Sequence, residues 1–334
     1  MTNGSNHRFE VLDGWRGISI LLVLATHLLP LGPSYLKLNS TAGPMGMSLF
    51  FTLSGFLITN FLIHKDSVLD FLIRRFFRII PLTWLYVCCV LLVIMTSDLD
   101  IWLSHLFFTT NIPPMTLTQP TSHLWSLAVE MQFYTSIALL VLLLGKKGLL
   151  LIPILCVLIT LNRFIDDILI SINTIYRIDE ILAGCTISLI YNNKIFAKLN
   201  YIKVNHLAYF VLGSLFIISC HPSSGFMNYF RPYLAASLVF ISLHDSKTFF
   251  YKVLCDKKLA YVGAISFALY VFHGGLMYTW LGSGETFEKY LKRPLLFLVT
   301  FLLAHVSTFY YENWCIDKGK ELSKSVRKRL NKHK

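Results

Sequence analysis

Apolar runs of about 20 residues recur along the whole chain, and no other feature constrains its folding as tightly. In hydrocarbon every backbone N–H and C=O must find a partner within the protein, so only helices and closed barrels can cross it. Stretches such as IALLVLLLG and LLLIPILCVLIT are apolar on every side, whereas a barrel strand alternates in segments of about ten residues. The fold class is therefore all-α, a polytopic membrane protein of about ten transmembrane helices. The spans are expected at 16–35, 45–64, 79–97, 123–145, 148–162, 173–191, 205–221, 229–243, 260–280 and 294–315. Residues 1–334 form a single membrane domain in this reading, without internal repeats and with a basic tail at 316–334. The longest loops are expected at 98–122 and 244–259. The first apolar run is long and lacks a small-residue cleavage site, so no removable signal sequence is expected.

Composition bears on partners. Of 334 residues, 55% are hydrophobic and 14% charged, and the mean hydropathy is +0.60. The net charge of +12 reflects sidedness and not nucleic-acid binding. With the N-terminus in the cytoplasm, 23 of the 30 Lys and Arg, from Arg8 to the tail, fall on the inner side and seven on the outer. The positive-inside bias then places both termini in the cytoplasm, with the tail against anionic lipid. Seven scattered cysteines lack paired C-x-x-C spacing and read as small hydrophobes; no metal is expected.

Polar groups inside spans are expensive and mark function by default. In LDGWRGISILLVLATH, Arg16 and His27 are eleven residues apart, nearly three helical turns, which sets them on one face about 16 Å apart. On the span boundaries above, His27, Ser54 of FFTLSGFLI, Glu130 of HLWSLAVEMQFY and His273 of LYVFHGG reach one level from four helices. A carboxylate at that depth needs a partner, and a nearby imidazole is a natural one for Glu130. Ser54 beside Gly55 also suits simple close packing of helices, and His305 suits an interhelical hydrogen bond. At the inner end, FLIRRFFRIIP sets Arg74, Arg75 and Arg78 just before the third span. Such a cluster either anchors the topology or clamps phosphate, because a guanidinium binds phosphate oxygens in pairs. Arg16 can extend the clamp.

These motifs, with RIDEILAGC and GAISFALYVFH, run in order from about residue 8 to 315. Together they resemble the membrane-bound acyltransferase family 3, which includes bacterial O-antigen and other surface-polysaccharide O-acetyltransferases. The resemblance matches Arg16 with His27, Arg75 with Arg78, Glu130, Ser54, Arg177 with Asp179 ahead of Gly184, and the late His273. It implies that His27 and Glu130 are catalytic, that Arg16, Arg74, Arg75 and Arg78 hold the donor, and that Ser54, His273, Arg177 and Asp179 meet substrate. The implied donor is acetyl-CoA. The implied acceptor is a polysaccharide or lipid-linked glycan, such as lipopolysaccharide O-antigen, and the implied place is the bacterial inner membrane. Two departures stand out. Met131 follows Glu130 where the family often has a second acidic residue, and the extracytoplasmic esterase-like domain that many members append is expected to be absent from this chain. The membrane domain is thus expected to complete the transfer alone or with a separate partner. Rival readings are an acyltransferase that acts on a small metabolite or moves succinyl, and a transporter or flippase, which needs no base. Against the transporter stand the lack of an inverted repeat and of a broken helix pair in the sequence.

Overall fold

A computed structural model of the chain describes residues 10–65, 67–193 and 204–332. Arg8, the lysines of 194–203 and Lys334, which enter the charge count, lie outside the described residues. The described residues are helical throughout, without a strand. In chain order the helices are α1 Glu10–Leu28, α2 Leu38–His64, α3 Val68–Val93, α4 Leu99–Leu106, α5 Trp125–Leu144, α6 Ile152–Ile165, α7 Thr174–Arg177 and α8 Asp179–Asn192. They continue as α9 His206–Cys220, α10 Arg231–His244, α11 Phe249–Leu254, α12 Lys257–Ala264, α13 Ser266–Leu276, α14 Thr286–Val306 and α15 Asn313–Lys332.

Five helical stretches are long and apolar enough to cross a membrane: Glu10–Leu28, Ser34–His64, Val68–Val93, Gln119–Ile165 and Thr286–Arg329. Counting each of two bent pairs as one span raises this to seven. Every one of the ten expected segments overlaps a helix. The Gln119–Ile165 stretch covers two of them and has 47 residues, about 70 Å of helical rise against a hydrocarbon core of about 30 Å. Gly145, at φ +64°, interrupts it.

Three boundaries move in ways that matter for the site. The first helix begins six residues before the expected span and stops at Leu28, because Pro30 and Pro33 follow and disfavour helix just before them. Arg16 therefore lies inside α1, and His27 in its last turn, not mid-helix. The third helix starts at Val68, capped by Ser67 accepting from the Asp70 amide at 3.1 Å. Arg74, Arg75 and Arg78 consequently sit within α3 and not ahead of it. The expected absence of a broken helix pair is overturned: α9 and α10 meet at 116°, and α12 and α13 at 64°. His273 rides on α13, the second half of such a pair.

Glycines set the closest crossings. A methyl at Gly55 would overlap the Ile181 carbonyl oxygen, and one at Gly184 would overlap that of Thr52, so α2 and α8 touch backbone to backbone at two reciprocal points. Gly263 likewise lets α12 approach α1 at Asp13.

Candidate active site

At one end of the bundle the N-terminal half of α1, the C-terminal half of α2, the N-terminal half of α3, α5 and the start of α13 border a narrow cavity of about 40 Å³. Arg16, Arg75, Arg78, Ser54, Glu130 and Tyr134 line it. Glu130 is buried and is held by two hydroxyls: Ser54 Oγ donates to Glu130 Oε1, and so does Tyr134 Oη, one turn along α5. The Arg75 guanidinium lies 5.6 Å from the centre of the Tyr134 ring. Three cations thus face one carboxylate, a surplus of positive charge suited to an anion. Glu130 bonds to Ser54 and Tyr134, so the imidazole expected beside it is not its hydrogen-bond partner.

A second, wider cavity of about 240 Å³ opens next to the first. Arg75 and Arg78 border both, while Arg74 and Lys320 border the wider one only.

Further along the bundle axis stand three histidines. The His273 ring centre lies 5.3 Å from that of His27 and 4.8 Å from that of His123. His273 Nδ1 is 2.6 Å from the Tyr270 carbonyl oxygen, and His123 Nε2 is 3.1 Å from that of Val271. A carbonyl can only accept, so those nitrogens carry the protons, and His273 Nε2 and His123 Nδ1 keep lone pairs. Both lone-pair nitrogens are buried without a hydrogen-bond partner. His27 is exposed at the end of α1. His123 packs over Gly274, where any side chain would collide with its ring.

Tyr270 joins the two groups. Its ring stacks on Phe50 of the narrow cavity at 6.3 Å and lies 5.6 Å from His273. Its hydroxyl bonds to Ser126 Oγ at 2.6 Å, one turn before Glu130 on α5, and to the His123 carbonyl.

The four polar residues expected at one level therefore divide into two neighbouring pairs, Ser54 with Glu130 and His27 with His273. Arg177 and Asp179 go elsewhere. Asp179 pairs with Arg163 at 2.5 Å, while Glu180 pairs with Arg177 at 3.2 Å and Arg231 at 2.7 Å, all of them buried. Arg177 also lies over Phe51 and Trp125. Neither Arg177 nor Asp179 lines the two cavities. Tyr134, His123 and Lys320 are the members that the sequence reading passed over. A spacing of four after Glu130 marks Tyr134 on the same helix face, whereas His123 lies in the 3-10 turn ahead of α5, where helical spacing gives no such signal. Lys320 had no such signal, being one of many cations in a basic tail. No group of three or more His, Cys, Asp or Glu among the described residues can hold a metal ion.

Residues 9–312 match the family described as the acyltransferase domain. The chain is 27% identical over 307 residues to the O-acetyltransferase OatA of Staphylococcus aureus (strain NCTC 8325 / PS 47), covering 78% of this chain and 49% of that protein. It is 24% identical over 349 residues to the peptidoglycan O-acetyltransferase OatA of Listeria monocytogenes, covering 90% of this chain and 54% of that protein. The chain spans about half the length of these curated relatives. No solved structure matches it.

Proposed function

We propose a function from one premise: the chain belongs to the acyltransferase family that matches residues 9–312. It moves an acyl group, acetyl by the names of its relatives, from acyl-CoA to a hydroxyl of a cell-envelope glycan. One observation carries the reading. The arginine-lined cavities, Glu130 and the histidines form an unbroken sequence of neighbours, from Arg74 through Arg75 and Arg78 to Phe50, Tyr270 and His273. A long donor with phosphates at one end and a thioester at the other fits such a line, since Arg16 and His27 are about 16 Å apart along α1.

In this reading Arg16, Arg75 and Arg78 bind the donor's phosphates in bidentate fashion. Ser54, Glu130 and Tyr134 set the position of those arginines and of the arm that passes them. The hydroxyl of the acceptor meets His27, which takes its proton as the oxygen attacks the thioester carbonyl; the C–S bond breaks and the proton passes to the departing sulfur. His273, whose Nε2 has no hydrogen-bond partner and whose ring lies 5.3 Å from that of His27, accepts the other ring N–H of His27 and so fixes the tautomer. Transient acetylation of His27 itself is the variant of this scheme that isolated acetyl-enzyme would reveal.

The names of the relatives support peptidoglycan as acceptor, and the sequence resemblance supports lipopolysaccharide O-antigen; both offer glycan hydroxyls. The bend between α12 and α13 is the feature that favours a flippase, but family membership and a histidine cluster beside a cation-lined cavity favour transfer chemistry. The test is twofold. Membranes given labelled acetyl-CoA should label a glycan, and NMR of envelope polysaccharides should lose O-acetyl resonances when the gene is deleted. Unchanged acetylation of both peptidoglycan and lipopolysaccharide in the deletion strain would refute the assignment.

A further inference from the structure

The wider cavity lies where α2, α3 and α15 meet. Among the described residues its wall carries four cations, Arg74, Arg75, Arg78 and Lys320, two aromatic rings, Phe61 and Phe71, and no carboxylate. Lys320 stands on α15, beyond the residues that match the family. Three observations show that α15 is docked in a fixed register and is not a loose basic tail. Gly319 abuts the Phe77 ring so closely that any side chain would collide with it. Ser323 Oγ donates to Asp70 Oδ1, and Arg327 Nη2 donates to Asp70 Oδ2 at 3.2 Å. The same Asp70 accepts from Arg74 Nε at 3.1 Å. One buried carboxylate therefore ties the C-terminal helix to the arginine-bearing helix, and it sets Arg74 and Lys320 on one cavity. Lys320 Nζ pairs with Asp317 at 2.8 Å, with both side chains about half exposed or more. Such a pair is weak, so a doubly charged anion can recruit the ammonium.

The order of the cations decides what that anion is. Arg75 and Arg78 border both cavities, so they lie on the route inward, while Arg74 and Lys320 border the outer cavity alone. Coenzyme A presents its diphosphate between pantetheine and adenosine, and its phosphate monoester on the ribose, at the end farthest from the thioester. With the thioester inward, the diphosphate meets Arg75 and Arg78, and the monoester meets the outer pair. We propose that α15 forms the outer wall of the donor site, where Lys320 and Arg74 bind the terminal phosphate monoester of the nucleotide and the half-buried ring of Phe61 borders the base. The proposal rests on the acyl-CoA reading above. It adds a residue, an element and a specificity: the enzyme discriminates coenzyme A from its 3′-dephospho form.

The experiment is calorimetric titration of the full-length protein in phosphatidylcholine nanodiscs with coenzyme A and with 3′-dephospho-coenzyme A, for wild type, Lys320→Gln and Lys320→Arg. Wild type should prefer coenzyme A by about tenfold or more, the size of one charge-assisted hydrogen bond. Lys320→Gln should bring the two ligands within about threefold while binding the dephospho form as wild type does, and Lys320→Arg should restore the preference. Coenzyme A binding with the preference unchanged in Lys320→Gln overturns this inference and leaves the donor reading standing. Wild type that binds neither ligand overturns both. A preference that is unaffected by Lys320→Gln, together with loss of phosphatidylglycerol retained in native mass spectra, would make the cavity a lipid headgroup site instead.

Discussion

At the scale of single residues, adjacent positions carry different duties. In Ser54-Gly55 the glycine makes the α2–α8 crossing while the serine turns to Glu130. The close packing read from the dipeptide falls to Gly55, while Ser54 directs its hydroxyl to Glu130. Tyr134 shares the task with Ser54, so removing its hydroxyl leaves one donor on a buried carboxylate. Tyr134→Phe should weaken donor binding or turnover about tenfold or more, given about 1.5–3 kcal/mol for a hydrogen bond to a charged group; steady-state kinetics with acetyl-CoA would test it, and wild-type values would remove Tyr134 from the site. His27→Ala should lower glycan acetylation by about 10²- to 10⁴-fold, the usual contribution of a positioned base. Abundance and coenzyme A binding should persist, and activity within about threefold of wild type would make His27 a packing residue. The sequence pointed to the ionisable residues of the site, because an ionisable group stands out in any apolar run. It concealed who bonds to whom: Glu130 takes hydroxyl partners because Ser54 and Tyr134 reach it, while His27 ends a helix that Pro30 and Pro33 cut short.

At the scale of helices, the sequence located the elements but not their ends or their bends. Hydropathy marks where a segment is apolar, whereas α3 extends eleven residues upstream of its expected span because Ser67 caps it and Asp70 is anchored by α15. The consequence is functional, since a cluster placed before a helix would be a floppy anchor and the same cluster inside α3 is a fixed row. The α8 segment shows the opposite limit. Its ion pairs join Asp179 to Arg163, 16 positions away, and Glu180 to Arg231, 51 positions away, which no local pattern announces, as well as Glu180 to Arg177 three positions before it. They tie α6, α7 and α10 to α8. Asp179→Asn leaves the buried Arg163 without its counter-charge, and breaking such a pair from one side costs about 3–5 kcal/mol. Thermal unfolding in detergent should show a markedly lower midpoint for this variant, with coenzyme A affinity unchanged in the folded fraction. A loss of affinity without loss of stability would instead make Asp179 a substrate ligand, as the resemblance implied. Gly184→Ala should destabilise the bundle as well, because the Thr52 carbonyl leaves no room for a methyl group.

At the scale of the whole molecule, the line from the arginine cavities to His27 is useful only if its two ends face different compartments. On the proposed function the donor, acyl-CoA, is made in the cytoplasm, and the glycan acceptor lies at or beyond the outer face. That proposal puts the end of the bundle with Arg16, Arg75, Arg78 and α15 in the cytoplasm and has His27, at the far end of α1, approached from the other side. The basic asymmetry of 23 to seven residues argues for the same orientation through insertion energetics alone, independently of any chemistry. Reporter fusions separate the two arguments from their rivals. Fusions at residues 70, 146 and 334 should report cytoplasm, and those at 110 and 287 the extracytoplasmic side. Lys146 reaches the Ile63 carbonyl at 2.8 Å, which puts the end of α5 beside the end of α2 and makes 70 and 146 neighbours in this prediction. A fusion at 70 that reports the outer side would leave the arginines facing away from the pool of acyl-CoA. Binding of coenzyme A would then have no route to turnover, and the reading of the cavities as a donor site would fall even though the geometry stayed the same.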